Sequence, residues 1–283
     1  MGTHRIQYEV LNSHNEAETG RIWDFEVHAT VEELQAFEKR GYLIRENLFA
    51  GKALSALRDA LERLDEREAE KRDRAMEGKK SWGFIPRYLM DKDEVFLSLL
   101  KFEPTLSIAR AMMGPLIRLR GLSARISYPG NGRLHQTTWH QHLRVISNPL
   151  PPWFSRPHCI DTLIYLDDLN EKTGAVTLMP GSHNWLDREA PRKGTDSETY
   201  EPIEGEVELR VKAGSAVLIH GNLWHRALPT VSQKRRMLIL SYTPTWLRKS
   251  PHGGPQPEDG LTQTFLEEAD FEEKMLLGIG GYT

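Results

Sequence analysis

The sequence predicts a mainly β fold with flanking helices, a double-stranded β-helix of the jelly-roll, cupin-like kind. Three observations carry that expectation. From Leu116 onward the chain breaks into short apolar or alternating runs separated by glycine, proline and asparagine turns. Before that point the apolar residues recur at spacings of three and four, the period of helices with one buried face. Among the strand-like runs stands Thr138-Trp139-His140-Gln141-His142-Leu143-Arg144, with two imidazoles two residues apart.

A chain of 283 residues can bury a substantial core. No internal repeat or compositional break divides it, so we expect one domain over 1–283. It would comprise a helical part at about 30–115, a jelly-roll core at about 116–246 and a C-terminal tail at 247–283. Residues 1–26 read as a polar arm with one strand near Ile6–Leu11. Thr30, with Glu33 three residues on, forms a capping box for a short helix that buries Leu34 and Phe37 and ends at Gly41. Tyr42-Leu43-Ile44 then reads as a strand. A second helix starts near Gly51 with Leu54, Leu57, Leu61 and Leu64 inward, and runs on into charged residues that read as a solvated helix end. Trp82, Phe84 and Tyr88 lie in a loop over 79–92. Helical periodicity returns from Asp93 to Met113, split by Pro104 and stopped at Gly114-Pro115.

The expected strands are Ile117–Arg120, Ser123–Tyr128, Thr138–Val145, Thr162–Leu166, Ala175–Leu178, Glu206–Val211, Ala216–Ile219 and Met237–Tyr242. On an extended strand, residues i and i+2 share a face, so His140 and His142 could reach one ion together. His225 offers a third imidazole, with His220 as its competitor. Arg236, eleven residues after His225, opens the apolar run Met237–Leu240, and a guanidinium pointing inward there calls for an anion such as a carboxylate. Imidazole suits iron, zinc, nickel and copper(II); iron is the natural choice when positions must stay open for an oxo acid and dioxygen. His142 stands where a carboxylate is expected. His135, His158 and His183 read as structural or surface groups, and Asp161 as structural, although it could in principle supply a carboxylate ligand.

The bulk numbers exclude other classes. A net charge of −3 gives no basic field for nucleic acid or membrane surfaces. The single cysteine, Cys159, forbids an intrachain disulfide. No run approaches the roughly 20 apolar residues of a membrane span, and Met1–Arg5 lacks a positively charged start followed by an apolar stretch, so no signal peptide is expected. A cytoplasmic location is expected. Nothing in the sequence speaks to oligomeric state.

These residues resemble the phytanoyl-CoA dioxygenase family of Fe(II)/2-oxoglutarate-dependent oxygenases. The resemblance runs from Glu32–Leu43 through Trp139-His140-Gln141-His142, then Leu166-Asp167-Asp168, Thr173-Gly174-Ala175 and Pro180-Gly181-Ser182-His183. It closes with Gly214–Gly221, His225 and Arg236. It implies an Fe(II) enzyme that uses 2-oxoglutarate and dioxygen to oxidise a small-molecule substrate. His140 and His225 would hold the iron, and Arg236 the far carboxylate of 2-oxoglutarate, with Arg125 or Ser127 as further contacts. Two departures stand out: His142 replaces the family's aspartate, and Ala227 replaces a frequent serine two residues after the distal histidine. His142 either completes a three-histidine ligand set, which we rank first, or swings away and leaves a vacant position. Otherwise oxygenase chemistry has been lost, or histidine has been engineered in for aspartate. The alternatives to the oxygenase are a non-catalytic jelly roll that binds metal or 2-oxoglutarate, and a three-histidine dioxygenase that needs no cosubstrate. Arg144, Trp224 and Trp82 are the candidate substrate contacts.

Overall fold

The structure is a computed structural model and describes residues 2–12, 16–77, 83–129, 137–142, 157–185, 202–247 and 260–279. Alternation of apolar residues builds its central sheet. Strands β3 (Tyr42–Arg45), β4 (Ile117–Ser127), β5 (Ile160–Tyr165), β8 (Ala216–His220) and β10 (Arg235–Pro244) form five antiparallel neighbours in the order β3-β8-β5-β10-β4. One face carries Ala124, Ile126, Ile164, Leu218, Leu238 and Leu240 into a cluster with helix residues Phe37, Leu57, Leu61 and Leu106. The other face carries Leu163, Tyr165, Val217, Ile219 and Met237 toward a small second sheet, whose Val176, Leu178 and Ala227 join the same cluster. That second sheet is β7-β6-β9, made of β6 (Val176–Leu178), β7 (Val207–Leu209) and β9 (His225–Ala227). Two facing sheets around one apolar interior, with helices on the outer face of the larger, are the expected double-sheet architecture.

The helices form where caps and periodicity place them. Helix α1 (Val31–Arg40) starts at the Thr30–Glu33 capping box and ends at Gly41, whose φ of 82° is the left-handed cap glycine accepts without strain. Helix α2 (Gly51–Arg67) buries Leu57, Leu61 and Leu64; the charged α3 (Ala69–Met76) continues it with no buried residue. Pro104 opens α4 (Glu103–Met113) in its first turn, where its missing N–H costs nothing, and a 3-10 helix at Glu94–Leu99 precedes it.

Four expectations need correction. The arm holds a hairpin of two strands, β1 (His4–Glu9) and β2 (Ile22–Val27). The separate strands expected at 117–120 and 123–128 are one strand, β4, with an extra residue at Arg120: Ser241 pairs with Gly121, but Tyr242 pairs with Leu119. This bulge explains why the outward positions step from Leu119 to Leu122 rather than to 121. Residues 137–142 form no regular strand; His140 makes an isolated antiparallel bridge to His225. The C-terminal tail carries helices α5 (Leu261–Glu268) and α6 (Phe271–Leu276), and Leu276 and Leu277 join the helix-side core.

Candidate metal centre

β9 positions the centre. His225 pairs with Leu178 of β6 on one side and bridges His140 on the other, through His140 N–H to His225 O at 3.0 Å and the reciprocal bond at 3.1 Å. His142 N–H donates to Gly221 O at 2.8 Å, which ties the next turn of the segment to the end of β8. Loop hydrogen bonds thus achieve what strand alternation was expected to do. One ring nitrogen from each of His140, His142 and His225 lies within 4.8 Å of the others. Ring centroids are 4.2 Å apart for His140–His225, 4.6 Å for His142–His225 and 5.6 Å for His140–His142.

Tautomers follow from the acceptors around the rings. His140 Nδ1 lies 2.8 Å from Thr138 O, His225 Nδ1 lies 2.9 Å from Leu223 O, and His142 Nδ1 lies 2.6 Å from Asp161 Oδ2. Carbonyl and carboxylate oxygens only accept, so each Nδ1 carries a proton and donates it. In the neutral rings every Nε2 is then a lone pair. His142 Nε2 and His225 Nε2 face each other at 3.1 Å. Two lone pairs at that distance repel unless a cation lies between them. A metal–imidazole bond is about 2.1 Å, which sets two nitrogens at right angles around one ion about 3.0 Å apart. The donor set therefore fits a metal. Burial holds His225 well below the usual histidine range, and the neighbouring His140 and His142 push the same way, which keeps its lone pair available.

Asp161 is the group sequence reasoning undervalued. It is buried on the inward face of β5 and accepts from His142 Nδ1, from Cys159 Sγ at 3.0 Å and from Ser241 Oγ, with Arg120 Nη1 3.7 Å away. Burial alone would raise its carboxyl, but the His142 ring beside it, then Arg120 and Cys159, outweigh burial and hold it far below the carboxylate range. The signal in the sequence was its place on the strand face shared with Leu163 and Tyr165, two and four residues on.

Arg236 does not face the histidines. It alternates with the inward Met237 and shares the helix side with Leu238 and Leu240. There its guanidinium pairs with Asp167, Nη2 to Oδ1 at 2.8 Å and Nε to Oδ2 at 2.9 Å, and with Glu62 of α2 at 2.9 Å. Its neighbour Arg235 points inward instead and is buried, with Nη1 on the carbonyls of Thr173, Gly174 and Leu228. Arg125 and Ser127 share that inward face, since Arg125 pairs with Met237 and Ser127 with Arg235. Burial pulls the Arg125 guanidinium down to about 10, with the Arg235 charge adding to the effect; it remains cationic at neutral pH. Among the described residues Ser127 Oγ, Tyr165 OH and Arg235 Nε are buried without a hydrogen-bond partner. Such a set of donors on one inward face fits an acceptor-rich anion.

A cavity of 410 Å³ opens onto the centre, lined by His140, His142, Arg120, Arg125, Gln141 and Asp161 among others. Trp224 is not in its wall; it packs with Trp139 and Met179 in a separate cluster. Trp82, Arg144 and His135 lie outside the described residues. His220 ends β8 and stands 4.7 Å, ring to ring, from His183, away from the triad of histidines.

Fold and site together define a double-stranded β-helix protein with a facial cluster of imidazoles at the mouth of its barrel. The chain belongs to the phytanoyl-CoA dioxygenase (PhyH) family, whose model matches residues 37–238. It is 27% identical over 161 residues to a probable alpha-ketoglutarate-dependent hypophosphite dioxygenase of Stutzerimonas stutzeri, covering 51% of each chain. It is 27% identical over 160 residues to the ectoine dioxygenase of Stutzerimonas stutzeri strain A1501, covering 53% of this chain and 49% of that one. The chain thus spans about half the length of these curated relatives. In fold it is similar to HygX of Streptomyces hygroscopicus, solved with nickel and 2-oxoglutarate (TM-score 0.61, 18% identity, 78% of this chain and 89% of that chain). It is also similar to SnoK, a non-heme alpha-ketoglutarate-dependent carbocyclase of nogalamycin biosynthesis (TM-score 0.59, 19% identity, 86% and 91%).

Proposed function

We propose that the protein is an Fe(II)- and 2-oxoglutarate-dependent oxygenase acting on a small molecule. The observation that carries this reading is the convergence of three imidazoles, one ring nitrogen of each within 4.8 Å of the others, with His142 Nε2 and His225 Nε2 3.1 Å apart. His140, His142 and His225 would hold the iron, which supplies the redox chemistry that couples decarboxylation of the oxo acid to oxidation of the substrate. The chain's own residues bind and orient. Arg125, on the cavity wall, would take the far carboxylate of 2-oxoglutarate, with Arg235 and the Ser127 hydroxyl beside it on the same inward face. Arg236 leaves this role, because Asp167 and Glu62 already neutralise it on the other side of the sheet. The two inward guanidiniums also argue against a three-histidine dioxygenase that works without a cosubstrate, which needs no oxo-acid anchor. The 410 Å³ cavity has the volume for a small metabolite. Its apolar side chains Ile85 and Ile239 stand beside the polar Thr138 and Gln141.

The test is anaerobic titration with Fe(II), then 2-oxoglutarate, then exposure to dioxygen with succinate as the product measured. Stoichiometric metal binding lost in His225→Ala, followed by succinate release, is expected. Tight 2-oxoglutarate binding with no succinate under any substrate screen would replace the enzyme by a binding protein. The expected location, cytoplasmic, is carried over as part of this proposal; no helix among the described residues is long and apolar enough to cross a membrane.

A further inference from the structure

Of the three imidazoles, two donate their Nδ1–H to backbone carbonyls and one, His142, donates to a carboxylate. We propose that Asp161 is a positioning residue of the metal site: it fixes the His142 ring by accepting its Nδ1–H and lends that ligand the negative charge a carboxylate ligand would have supplied. The inference rests on the iron reading above and names a residue that reading does not need.

A site of two histidines and one carboxylate gives a dication one formal negative charge; three neutral imidazoles give none. A carboxylate behind a ligating imidazole restores part of it, because the hydrogen bond draws the Nδ1 proton outward and raises electron density at Nε2. The geometry at Asp161 is built for this. Oδ2 lies 2.6 Å from His142 Nδ1, and Oδ1 accepts from the Ser241 hydroxyl and faces Arg120. Both oxygens are engaged, so Asp161 is not itself a ligand, and it is absent from the group of converging donor atoms. The aspartate is buried and lies on β5, directly opposite Ser241 of β10, so its position is set by the sheet. His142, by contrast, belongs to a segment with no regular strand pairing; its backbone is held by Gly221 O and by the Arg120 guanidinium, and its ring Nδ1 is held by Asp161. Asp161 therefore ties a ligand on an irregular segment to a strand inside the five-stranded sheet.

The experiment is a double-mutant cycle on the full chain, with Fe(II) affinity measured anaerobically by competition against a chelating dye and the Fe(III)/Fe(II) potential as second readout. Asp161→Asn should weaken Fe(II) binding 10–100-fold, the range found for residues behind metal-ligating histidines, and raise the potential. In a His142→Asp background the ligand carries its own charge, so Asp161→Asn should change affinity less than threefold. Equal losses in both backgrounds would make Asp161 merely structural, and no loss in the native background would also overturn the proposal. Should Asp161→Asn fail to fold, the native protein loaded with Zn(II) gives the answer. The Nδ1–H proton of His142 should resonate downfield of those of His140 and His225, and coincident shifts would refute the proposal. Failure of the native chain to bind Fe(II) would overturn the iron reading and this inference together; binding without dependence on Asp161 removes only the inference.

Discussion

Replacing Arg125 and Arg236 in parallel separates two arginines that the sequence places together at the cosubstrate and that the structure puts on opposite faces of the sheet. In Arg125→Met the buried cationic head on the cavity wall is lost. Truncating one side of a buried, hydrogen-bonded charge pair costs about 2–5 kcal/mol. Arg235 stays on the same face and shares the load, so the low end, about 2–3 kcal/mol, applies. At 1.4 kcal/mol per tenfold, that is a loss of about 30–150-fold in 2-oxoglutarate affinity. In Arg236→Met the lost contacts are those to Asp167 and Glu62, at a side chain 21% exposed and facing the helices. A partly solvated network of this kind is worth about 0.5–1 kcal/mol of folding stability, and 2-oxoglutarate affinity should hold within twofold. The assay is calorimetric titration of 2-oxoglutarate into the Mn(II)-loaded protein, with thermal melting alongside. If Arg236→Met loses the cosubstrate while Arg125→Met keeps it, the inward and outward faces of β10 have been read in reverse.

Two further outcomes follow from burial and backbone geometry. Burial lowers His158, His183 and His225 in the folded chain, so between their folded values and the unfolded value near 6.5 the unfolded state binds more protons. The metal-free protein should therefore lose stability as pH falls from about 7 to 5.5, by up to ~1.4 kcal/mol per pH unit for each such group; urea midpoints that are flat or rise over that interval would count against it. Gly214 has φ of 83°, a Cβ there would fall on the Phe49 carbonyl oxygen, and the Gly214 carbonyl accepts from Phe49 N–H. Gly214→Ala should cost at least ~1–2 kcal/mol from the left-handed backbone alone, seen as a melting temperature lower by several degrees, whereas Gly20→Ala, with nothing within 4 Å, pays only the backbone term.

What the sequence made legible was whatever depends on local pattern. The Thr30 capping box, the α2 face and the alternation of β5 and β8 are written in spacings of three, four and two. The three histidines were legible as a set because imidazoles are few and their chemistry is distinctive. Arg236 was misplaced because counting eleven residues from His225 ignores which face a strand position takes; reading backward from Leu238 and Leu240, both on the helix side, puts Arg235 inward. Asp161 was undervalued because its meaning lies in a contact nineteen residues away in sequence. The second strand of the arm and the C-terminal helices were missed for a related reason: β2 packs on α4, α5 on the 3-10 helix Leu89–Asp91 and α6 on β4, all partners distant in sequence.

The charges around the cavity carry one consequence for the substrate. Arg87, Arg120 and Arg125 line it, and Asp161 is the only acid among its described lining residues. That carboxylate is already shared between His142 and Arg120. A divalent metal held by neutral imidazoles adds two more positive charges, and 2-oxoglutarate, a dianion, removes only two. The surplus remains with Arg87 at the exposed rim and with the guanidiniums deeper in the wall. In a partly enclosed cavity such a surplus draws anions and penalises cations. Substrates carrying a carboxylate or phosphate should therefore stimulate succinate formation, and their KM should rise with ionic strength. Arg87→Ala should raise KM for them several-fold with little change in kcat, because a rim charge acts on encounter and binding rather than on the oxidation step. A screen in which neutral or cationic molecules are turned over best, with no salt dependence, would show that the arginines serve the cosubstrate and the scaffold alone.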